Sequence, residues 1–560
     1  MNHSCWHLLP PIPDKLLNNS PGIPQLIAQL LFNRGLFDLS QLSSFLNADS
    51  RLSGDPFLLP DMHQAVARIY QALLSGENIA VYGDFDADGI TATAILVKGL
   101  SILKGKTIPY IPHRLTEGHG LKRAALEQLS RQGISLVITV DCGITGFNEV
   151  KKARRIGLDI VITDHHAPPE ELPPAIALVN PKLPNSNYPF SELAGVGVAF
   201  KLLQALFQSI GKERQISGLL DLVAIGTVAD VMPLLGENRY LVKEGLKIIN
   251  DSPRLGIKEI LTQSGLPIGG VSADNISWII APRLNTASRL EHAQPSYELL
   301  MTDSPDQARQ LAIWLEQKNA ERQRITSKAT EKAREQVLAE GIAPLLMIGG
   351  MEYPAGIAGL VAGKLTEEFY RPAVVVRVGK TISTGSCRSI PEFNIIHALN
   401  RCSRLFTQFG GHAQAAGFVL PTKNLPRLRE ALLEMADTEL AGIDLRPKLD
   451  IDAEVTLSNL GGDTFQVTQQ LAPFGQGNPV PTFLSRRVEV INLRTMGTNG
   501  EHIRLKLRQG DAVWDAVGFG LGYNLAEIVS PLDIVYNLEI DRWGGEDRLR
   551  LNIQDFAPAN

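Results

Sequence analysis

The sequence predicts a multi-domain α/β chain: a parallel-sheet domain, a long helix, a second α/β unit and a small strand-rich domain. Three observations predict it. From about residue 55 to 250 short apolar runs alternate with helical segments, the signature of a parallel sheet with helices on both faces. From Pro305 to Glu340 the chain is nearly free of glycine and proline and rich in Ala, Glu, Gln, Lys and Arg, so it reads as one helix. Beyond about residue 448 apolar and basic residues alternate as they do on half-buried strands. At 560 residues one core is too small an arrangement. The expected division is an N-terminal extension (1–50), a catalytic α/β domain with a helical part (51–304), a connecting helix (305–340), a second α/β domain (341–445) and a β domain (446–560).

The extension is proline-rich and then helical in pattern from Ile23 to Phe45, with no role to read from it. The first strand is Ile79-Ala80-Val81. It stops at Asp84, Asp86 and Asp88, spaced two apart, followed by Gly89 and a helix from Ile90 to Leu100. Acids at the end of a strand that feeds a helix lie at the carboxyl edge of an α/β sheet, where such sheets hold ligands. Three like charges so close repel, and a divalent cation is the simplest relief, since carboxylates are hard oxygen ligands. A solvated acidic turn is the plainer alternative for this stretch alone.

Three more strands follow: Thr107 to Ile111, Ser135 to Val140 and Asp159 to Ile162, with helices over Leu121–Gln132 and Gly146–Ile156 between them. Each ends in groups that do chemistry: His113-Arg114, Asp141-Cys142-Gly143 and Asp164-His165-His166. In a parallel sheet these endings share one edge. A later segment, Leu222 to Ala229, repeats the pattern of apolar run then acid at Asp230. Singly, each is equally a capping aspartate or a satisfied histidine; jointly they point to a site. Carboxylates with one or two imidazoles and no thiolate suit manganese or magnesium better than structural zinc. Five or six such ligands exceed the needs of one ion beside its waters, and two ions with a bridging carboxylate perform in-line displacement at phosphorus. Phosphoester hydrolysis is the reading these residues support.

Asp84-Phe85-Asp86-Ala87-Asp88-Gly89, Asp141-Cys142-Gly143, Asp164-His165-His166 and Thr227-Val228-Ala229-Asp230 resemble the four ordered motifs of the DHH phosphoesterase superfamily. Ala281-Pro282-Arg283-Leu284-Asn285, Gly385-Ser386-Cys387-Arg388-Ser389, Gly410-Gly411-His412 with Ala415-Ala416-Gly417, and Pro473-Phe474-Gly475 with Gly477-Asn478-Pro479 resemble its single-stranded-DNA exonuclease family. The likeness runs from about residue 50 to the C-terminus.

The resemblance implies that Asp86 and Asp88 each bind one of two Mn2+ or Mg2+ ions and that Asp141 bridges them. His165 and Asp230 complete the second ion's shell, and Asp84 assists the first. It implies that His166 stabilises charge at the scissile phosphate and that Asp164 either shares in catalysis or orients a histidine. Ser386 and Arg388, with Arg114, would hold the phosphate of the 5′ end, and Arg283, Asn285, Arg289 and His412 are further substrate-binding candidates. Many relatives carry histidine at the position of Tyr82, which puts the first ion's coordination in question. Cys387, Ser288 and Met351-Glu352-Tyr353-Pro354 also depart from the pattern without removing a core ligand.

In the second half, the cations of the long helix (Lys318, Arg322, Arg324, Lys328, Lys332, Arg334) are interleaved with acids, as on a solvated connecting helix. In the second α/β domain Ala343–Ile348 and Ala373–Val378 are strand-like, and glycines at 349–350 and 410–411 let backbone approach phosphates. In the last domain Ile503, Leu505 and Leu507 alternate with Arg504, Lys506 and Arg508. Leu549, Leu551 and Ile553 alternate likewise with Arg548, Arg550 and Asn552. Two basic-faced strands in a small β domain suit an OB-fold. Trp514, Phe519 and Trp543 either stack on bases or pack in its core. His119, between Gly118 and Gly120, is either a base-stacking residue or a loop histidine without a role.

Composition fits an ordinary globular protein, 44% hydrophobic and 20% charged, with a net charge of −5 that says nothing about nucleic acid either way. No apolar run is long enough to span a membrane, no secretory signal precedes Lys15, and four scattered cysteines lack zinc or disulfide spacing. A reducing cytoplasm is expected. The expected function is metal-dependent 5′-to-3′ digestion of single-stranded DNA to mononucleotides in repair and recombination. Single-strand-binding protein and a helicase are the partners the family suggests. A small-nucleotide phosphatase or oligoribonuclease would not need the β domain, and a non-catalytic replication scaffold would not keep Asp86, Asp88, Asp141, His165 and Asp230.

Overall fold

The computed structural model describes residues 4–18, 23–461, 463–497, 499–541 and 548–559. The chain opens with a short strand, β1 (Cys5–Leu8), and folds as two compact units. One comprises residues 47–328 with 473–478; the other comprises 1–46, 329–472 and 479–560.

The first unit is built on a five-stranded sheet of β2 (Asn78–Tyr82), β3 (Lys106–Tyr110), β4 (Ile134–Val140), β5 (Asp159–Thr163) and β6 (Ala177–Val179). The order is β3-β2-β4-β5-β6 and every pairing is parallel. Side chains alternate across each strand, so one strand feeds two cores. Ile79, Val81, Ile138 and Val161 join the larger core, while Ala80, Tyr82, Val137 and Ile160 join the smaller one on the opposite face. Burial on both faces explains why these strands read as unbroken apolar runs. The three-residue edge strand β6 is too short to leave a periodic signal in the sequence.

Segment 222–229, which follows the same apolar-then-acid pattern, is not a strand. It lies in the helix Leu220–Ala229, buried on every side from Leu220 to Val228. A helix without a polar face carries no 3.6-residue period, so pattern alone does not separate it from a buried strand. Beside it runs the helix Gly195–Gln208, whose Lys201 is fully buried. The Lys201 Nζ donates to Glu237 Oε1 at 2.8 Å and to the Gly54 carbonyl at 2.7 Å. The Tyr188 hydroxyl takes the other Glu237 oxygen.

The chain passes from the first unit to the second within one helix, Pro305–Glu340, whose 36 residues span about 54 Å. Along it Lys318 pairs with Glu291 at 2.7 Å, Lys332 with Glu352 at 2.7 Å and Arg334 with Glu368 at 2.5 Å, while Arg322 donates to Asn319 Oδ1 at 2.9 Å.

The second unit holds a mixed sheet of β7 (Leu346–Gly350), β8 (Ala373–Arg377), β9 (Ile382–Arg388), β10 (Gln408–His412) and β11 (Ala415–Pro421), in the order β10-β11-β9-β8-β7. Only β7 and β8 run parallel. Two short strands, β12 (Lys448–Ile451) and β13 (Ala453–Glu454), lead to β14 (Thr482–Met496), β15 (His502–Gln509), β16 (Ala512–Gly518), β17 (Leu532–Asp541) and β18 (Arg548–Pro558). Strand β14 pairs with both β15 and β17, which closes the sheet into a barrel. Ile503, Leu505 and Leu507 face inward as the alternation predicts.

The barrel's outward charge is partly neutralised: Arg508 pairs with Glu489, and Arg550 with Glu539 at 2.5 Å and Asp541 at 3.0 Å. Trp514 is tied by its indole N–H to the Leu457 carbonyl at 3.0 Å. Phe519 is 53% exposed. Trp543 lies outside the described residues. The N-terminal extension acquires a place that its sequence does not reveal: β1 pairs in parallel with β12, and Asn33 Nδ2 donates to Asp452 Oδ1 at 3.0 Å.

The buried Lys201–Glu237 pair yields a stability prediction. Lys201→Met leaves Glu237 buried without its cation and is expected to cost about 3–5 kcal/mol in urea unfolding. Replacing both, Lys201→Met with Glu237→Leu, is expected to recover most of that loss.

Candidate metal centre

The parallel sheet places the ends of β2, β4 and β5 on one edge, so Asp84 to Asp88, Asp141 and Asp164 to His166 converge there. Asp230 joins them as the C-cap of the buried helix. His165 Nε2 lies 3.1 Å from Asp141 Oδ1, 3.6 Å from Asp230 Oδ2 and 4.0 Å from Asp88 Oδ2. Donor atoms of Asp88, His165 and Asp230 lie within 4.8 Å of one another, as do those of Asp141, His165 and His166.

Local structure fixes each acid. Asp86 caps the helix Ala87–Ile102, its Oδ1 accepting from the Gly89 N–H at 3.0 Å. Asp88 accepts from the Gly195 N–H at 2.7 Å and the Val196 N–H at 2.8 Å, the first amides of the helix Gly195–Gln208. A helix N-terminus stabilises a carboxylate there through its unpaired amides and its dipole. Gly195 is required for the approach, because a Cβ on it would lie 2.4 Å from the Asp141 Cβ. Asp141 itself turns the chain at the end of β4 with φ +59°, a conformation aspartate tolerates better than most residues.

Asp164 faces donors rather than the other acids. Its Oδ1 accepts from the backbone N–H groups of His165 and His166 and lies 2.7 Å from His166 Nδ1; its Oδ2 accepts from the Ile144 N–H at 2.9 Å. Asp84 Oδ2 lies 2.8 Å from His119 Nδ1, and the His119 ring packs 4.2 Å from Phe85. Arg114 sits over the same Phe85 ring at 4.9 Å.

Charge follows from this geometry. Burial and the neighbouring carboxylates, chiefly Asp86, push Asp88 up to about 7. Burial and mutual repulsion raise Asp141 and Asp230 far above the usual carboxylate range, and Asp86 upward with them. Full ionisation of such a set is strongly disfavoured unless cations lie among it. Hard oxygen donors with one imidazole and no thiolate fit Mn2+ or Mg2+. The pair beside it behaves oppositely. Burial disfavours both charges, yet the hydrogen bond between Asp164 and His166, with their mutual attraction, lowers Asp164 to about 2 and raises His166 to about 9.

In the other unit Ser386 and Arg388 stand two apart on β9 and so share a face of the sheet. The helix Ala355–Phe369 packs on that strand; a Cβ at Gly359 would lie 3.3 Å from Arg388 Nη2. Arg388 Nη1 donates to the Cys387 carbonyl at 2.8 Å. His412 is exposed at the end of β10 and shares a cross-strand row with Ala415 and Arg388.

Comparison with known proteins gives the family. Models of the DHH family N-terminal domain, the DHHA1 domain and the RecJ OB domain match residues 78–227, 336–438 and 451–555. The single-stranded-DNA-specific exonuclease RecJ of Bacillus subtilis is 38% identical over 99% of this chain and 70% of its own. That of Dickeya dadantii is 32% identical over 96% of each.

The chain belongs to the RecJ family.

Two solved structures of RecJ from Thermus thermophilus resemble it over 99% of its length. The complex with Mn2+ has TM-score 0.84 and 29% identity, with 80% of that chain covered; the complex with Mg2+ has 0.79, 28% and 78%. A RecJ chain therefore has solved relatives holding each of the metals its own donor set suits.

Several residues expected to touch substrate are engaged elsewhere in this RecJ chain. Arg283 Nε donates to Glu316 at 2.5 Å and its Nη1 to the Ile279 carbonyl. Asn285 Oδ1 accepts from the Ala87 N–H at 2.8 Å and so braces the loop of acids. Arg289 is half-buried in the last turn of the helix Ala281–Leu290. Arg114 stands near Asp84 and Asp86 in the first unit, whereas Ser386, Arg388 and His412 belong to the second. The Tyr82 hydroxyl is engaged by backbone, donating to the Gly120 carbonyl at 3.2 Å, and its ring stacks on Tyr110. Sequence reasoning missed His119 as the partner of Asp84 and the Gly195–Val196 amides as the cradle of Asp88. The small residues opening the helix at Gly195-Val196-Gly197 are the one local signal for that cradle.

The Asp164–His166 pair yields a titration prediction. The raised His166 adds stability fully below pH 6.5 and loses it as pH rises through about 9. The lowered Asp164 adds stability above pH 3.8 and loses it as pH falls through about 2. Both contributions are complete between those inner limits. In metal-free protein, Asp164→Asn is expected to drop the His166 pKa by at least about one unit, followed by imidazole NMR. An unchanged value would place the source of the shift elsewhere.

Proposed function

We propose that this chain is a metal-dependent exonuclease that digests single-stranded DNA from the 5′ end to mononucleotides, in DNA repair and recombination. The observation that carries the reading is the convergence of Asp88, Asp141 and Asp230 on His165 in a chain of the RecJ family. Asp141, His165, Asp88 and Asp230, with Asp86 and Asp84, would hold two Mn2+ or Mg2+ ions. When bound, such ions activate water and neutralise charge on phosphoryl oxygens.

The chain's own groups do the rest. Asp164 accepts from His166 at Nδ1, which fixes the tautomer and keeps the imidazole protonated at neutral pH. That imidazolium is suited to donate to an oxygen of the phosphate under attack and to stabilise the charge that develops there. Asp88, clamped by two helix amides, keeps its carboxylate in one orientation as charge shifts around it. Ser386 and Arg388 supply a hydroxyl and a planar guanidinium on one face of β9 for a terminal phosphate, with His412 in the same cross-strand row as Arg388 as a further donor. A pocket that reads a 5′ phosphate sets the direction of digestion.

On the barrel Arg494 and Arg504 are cross-strand neighbours and Lys506 stands next along β15, a positive path for a strand backbone. The RecJ OB match over 451–555 favours this substrate over a small nucleotide, which needs no such surface. The proteins that generate and coat single strands, a helicase and single-strand-binding protein, are the partners this activity calls for. A cytoplasmic location is part of the proposal, supported by four free cysteines. Among the described residues no helix is long and apolar enough to cross a membrane.

Single strands labelled at either end, with and without a 5′ phosphate, test the reading in Mn2+ or Mg2+. Release of label first from the 5′ end is expected, and sustained digestion from the 3′ end would refute the polarity. Arg388→Ala is expected to cost about tenfold or more in preference for the 5′ phosphate, the worth of one charge-assisted hydrogen bond. An unchanged preference would remove Arg388 from the pocket.

A further inference from the structure

We propose that the turn Pro473–Asn478 is a positioning element for Asp230, acting on the loop that leads out of the metal centre. The inference rests on the reading of Asp230 as an ion ligand. Residues 473–478 lie far along the chain, between segments of the second compact unit, yet they belong to the first unit with residues 47–328. The sequence singled out Pro473-Phe474-Gly475 and Gly477-Asn478-Pro479 as a motif, and neither the metal centre nor the phosphate pocket uses them.

Asp230 ends its helix with its N–H on the Gly226 carbonyl at 2.9 Å. The next residue, Val231, has φ +57°, a conformation a β-branched residue adopts only when its surroundings force it. The Met232 N–H returns to the Thr227 carbonyl at 3.2 Å. What holds the far side of this sharp turn is the 473–478 segment.

Four contacts make the hold. The Leu234 N–H donates to the Gln476 carbonyl at 2.8 Å. Arg239, fully buried, donates through Nη1 to the Pro473 carbonyl at 3.4 Å. Gly475 lies so close to Leu234 that a Cβ on it would be 2.8 Å from Leu234 Cδ1. Gly477, at φ +73°, would place a Cβ 3.2 Å from Leu235 and 3.3 Å from Pro233.

The turn is built to keep its shape while it does this. Gly475 and Asn478 exchange backbone hydrogen bonds at 2.9 and 3.0 Å, and the buried Asn478 side chain donates to the Pro473 carbonyl at 2.9 Å. On the other side of the loop, Asn238 Nδ2 donates to the Pro233 carbonyl at 3.1 Å. The stretch from Val231 to Leu235 is thus clamped from two sides, within a few residues of the carboxylate. Moving the clamp moves Asp230 relative to His165.

The test uses the full-length chain with three variants: Gly475→Ala, Leu234→Ala and both together. The substrates are a 5′-phosphorylated dinucleotide and a long single strand, and Mn2+ binding is read by calorimetry in the absence of substrate. Gly475→Ala is expected to lower kcat by about tenfold or more on both substrates, as small misplacements at reacting centres do. KM is expected to stay within about twofold by the same reasoning, with weaker Mn2+ binding. The double variant, which removes the side chain in the way, is expected to regain most of both.

Normal dinucleotide kcat and Mn2+ binding in Gly475→Ala, with only a raised KM for the long strand, would overturn the proposal and leave the turn a tether. So would a fall in melting temperature with unchanged kcat per folded molecule. Asp230→Ala is the control that separates the two levels. If it keeps activity and Mn2+ binding, the reading of the metal centre fails, and this proposal with it. If it loses both while Gly475→Ala behaves normally, only the positioning role fails.

Discussion

Mutual repulsion among crowded carboxylates, Asp88 and Asp141 buried and Asp86 and Asp230 half-buried, governs this structure. Asp86, Asp88, Asp141 and Asp230 are pushed toward the neutral form by burial and by one another. Placed in a core without compensation, four ionised carboxylates would cost far more than a marginally stable fold can bear. The molecule meets this cost in two ways that are visible: helix amides on Asp88 and a histidine at the centre of the group. Divalent cations held by these acids would be the third, and would supply water activation and charge neutralisation at a phosphate.

The same repulsion explains why the neighbouring pair differs. Asp164 is turned out of the cluster and spends its oxygens on three backbone amides and one imidazole. Its charged form is favoured where those of its neighbours are disfavoured, and it favours the charged form of His166 in turn. Neighbouring carboxylates are thus shifted in opposite directions, Asp164 down because it faces donors and Asp141 up because it is buried among acids. The proposed division of labour between ion-holding and phosphate-facing groups rests on that contrast.

Much of this was legible in the sequence. The strands β2 to β5, the acids at their ends and the long helix could be read because buried parallel strands and uninterrupted helical composition leave strong patterns. The RecJ motifs supplied the rest of the proposed site by resemblance. What stayed hidden has physical causes. The helix before Asp230 is buried all round, so it has no period to betray it. Strand β1 is four residues long and gains its partner, β12, from over 400 residues away. The bond between His119 and Asp84 depends on how a glycine-flanked loop folds back, which no local pattern encodes. Asn285 and Arg283 could be read as polar groups near a cleft, but whether a donor faces substrate or braces the backbone is settled only by three-dimensional placement.

Proton release on metal binding tests the account at its root. Calorimetric titration of Mn2+ into metal-free protein at pH 7, repeated in buffers of different ionisation enthalpy, counts the protons displaced. Because Asp88, Asp141 and Asp230 are held toward the neutral form without cations, saturable binding with net release of at least about one proton is expected. Binding without proton release, or no saturable binding, would contradict the claim that these acids coexist only because cations lie among them.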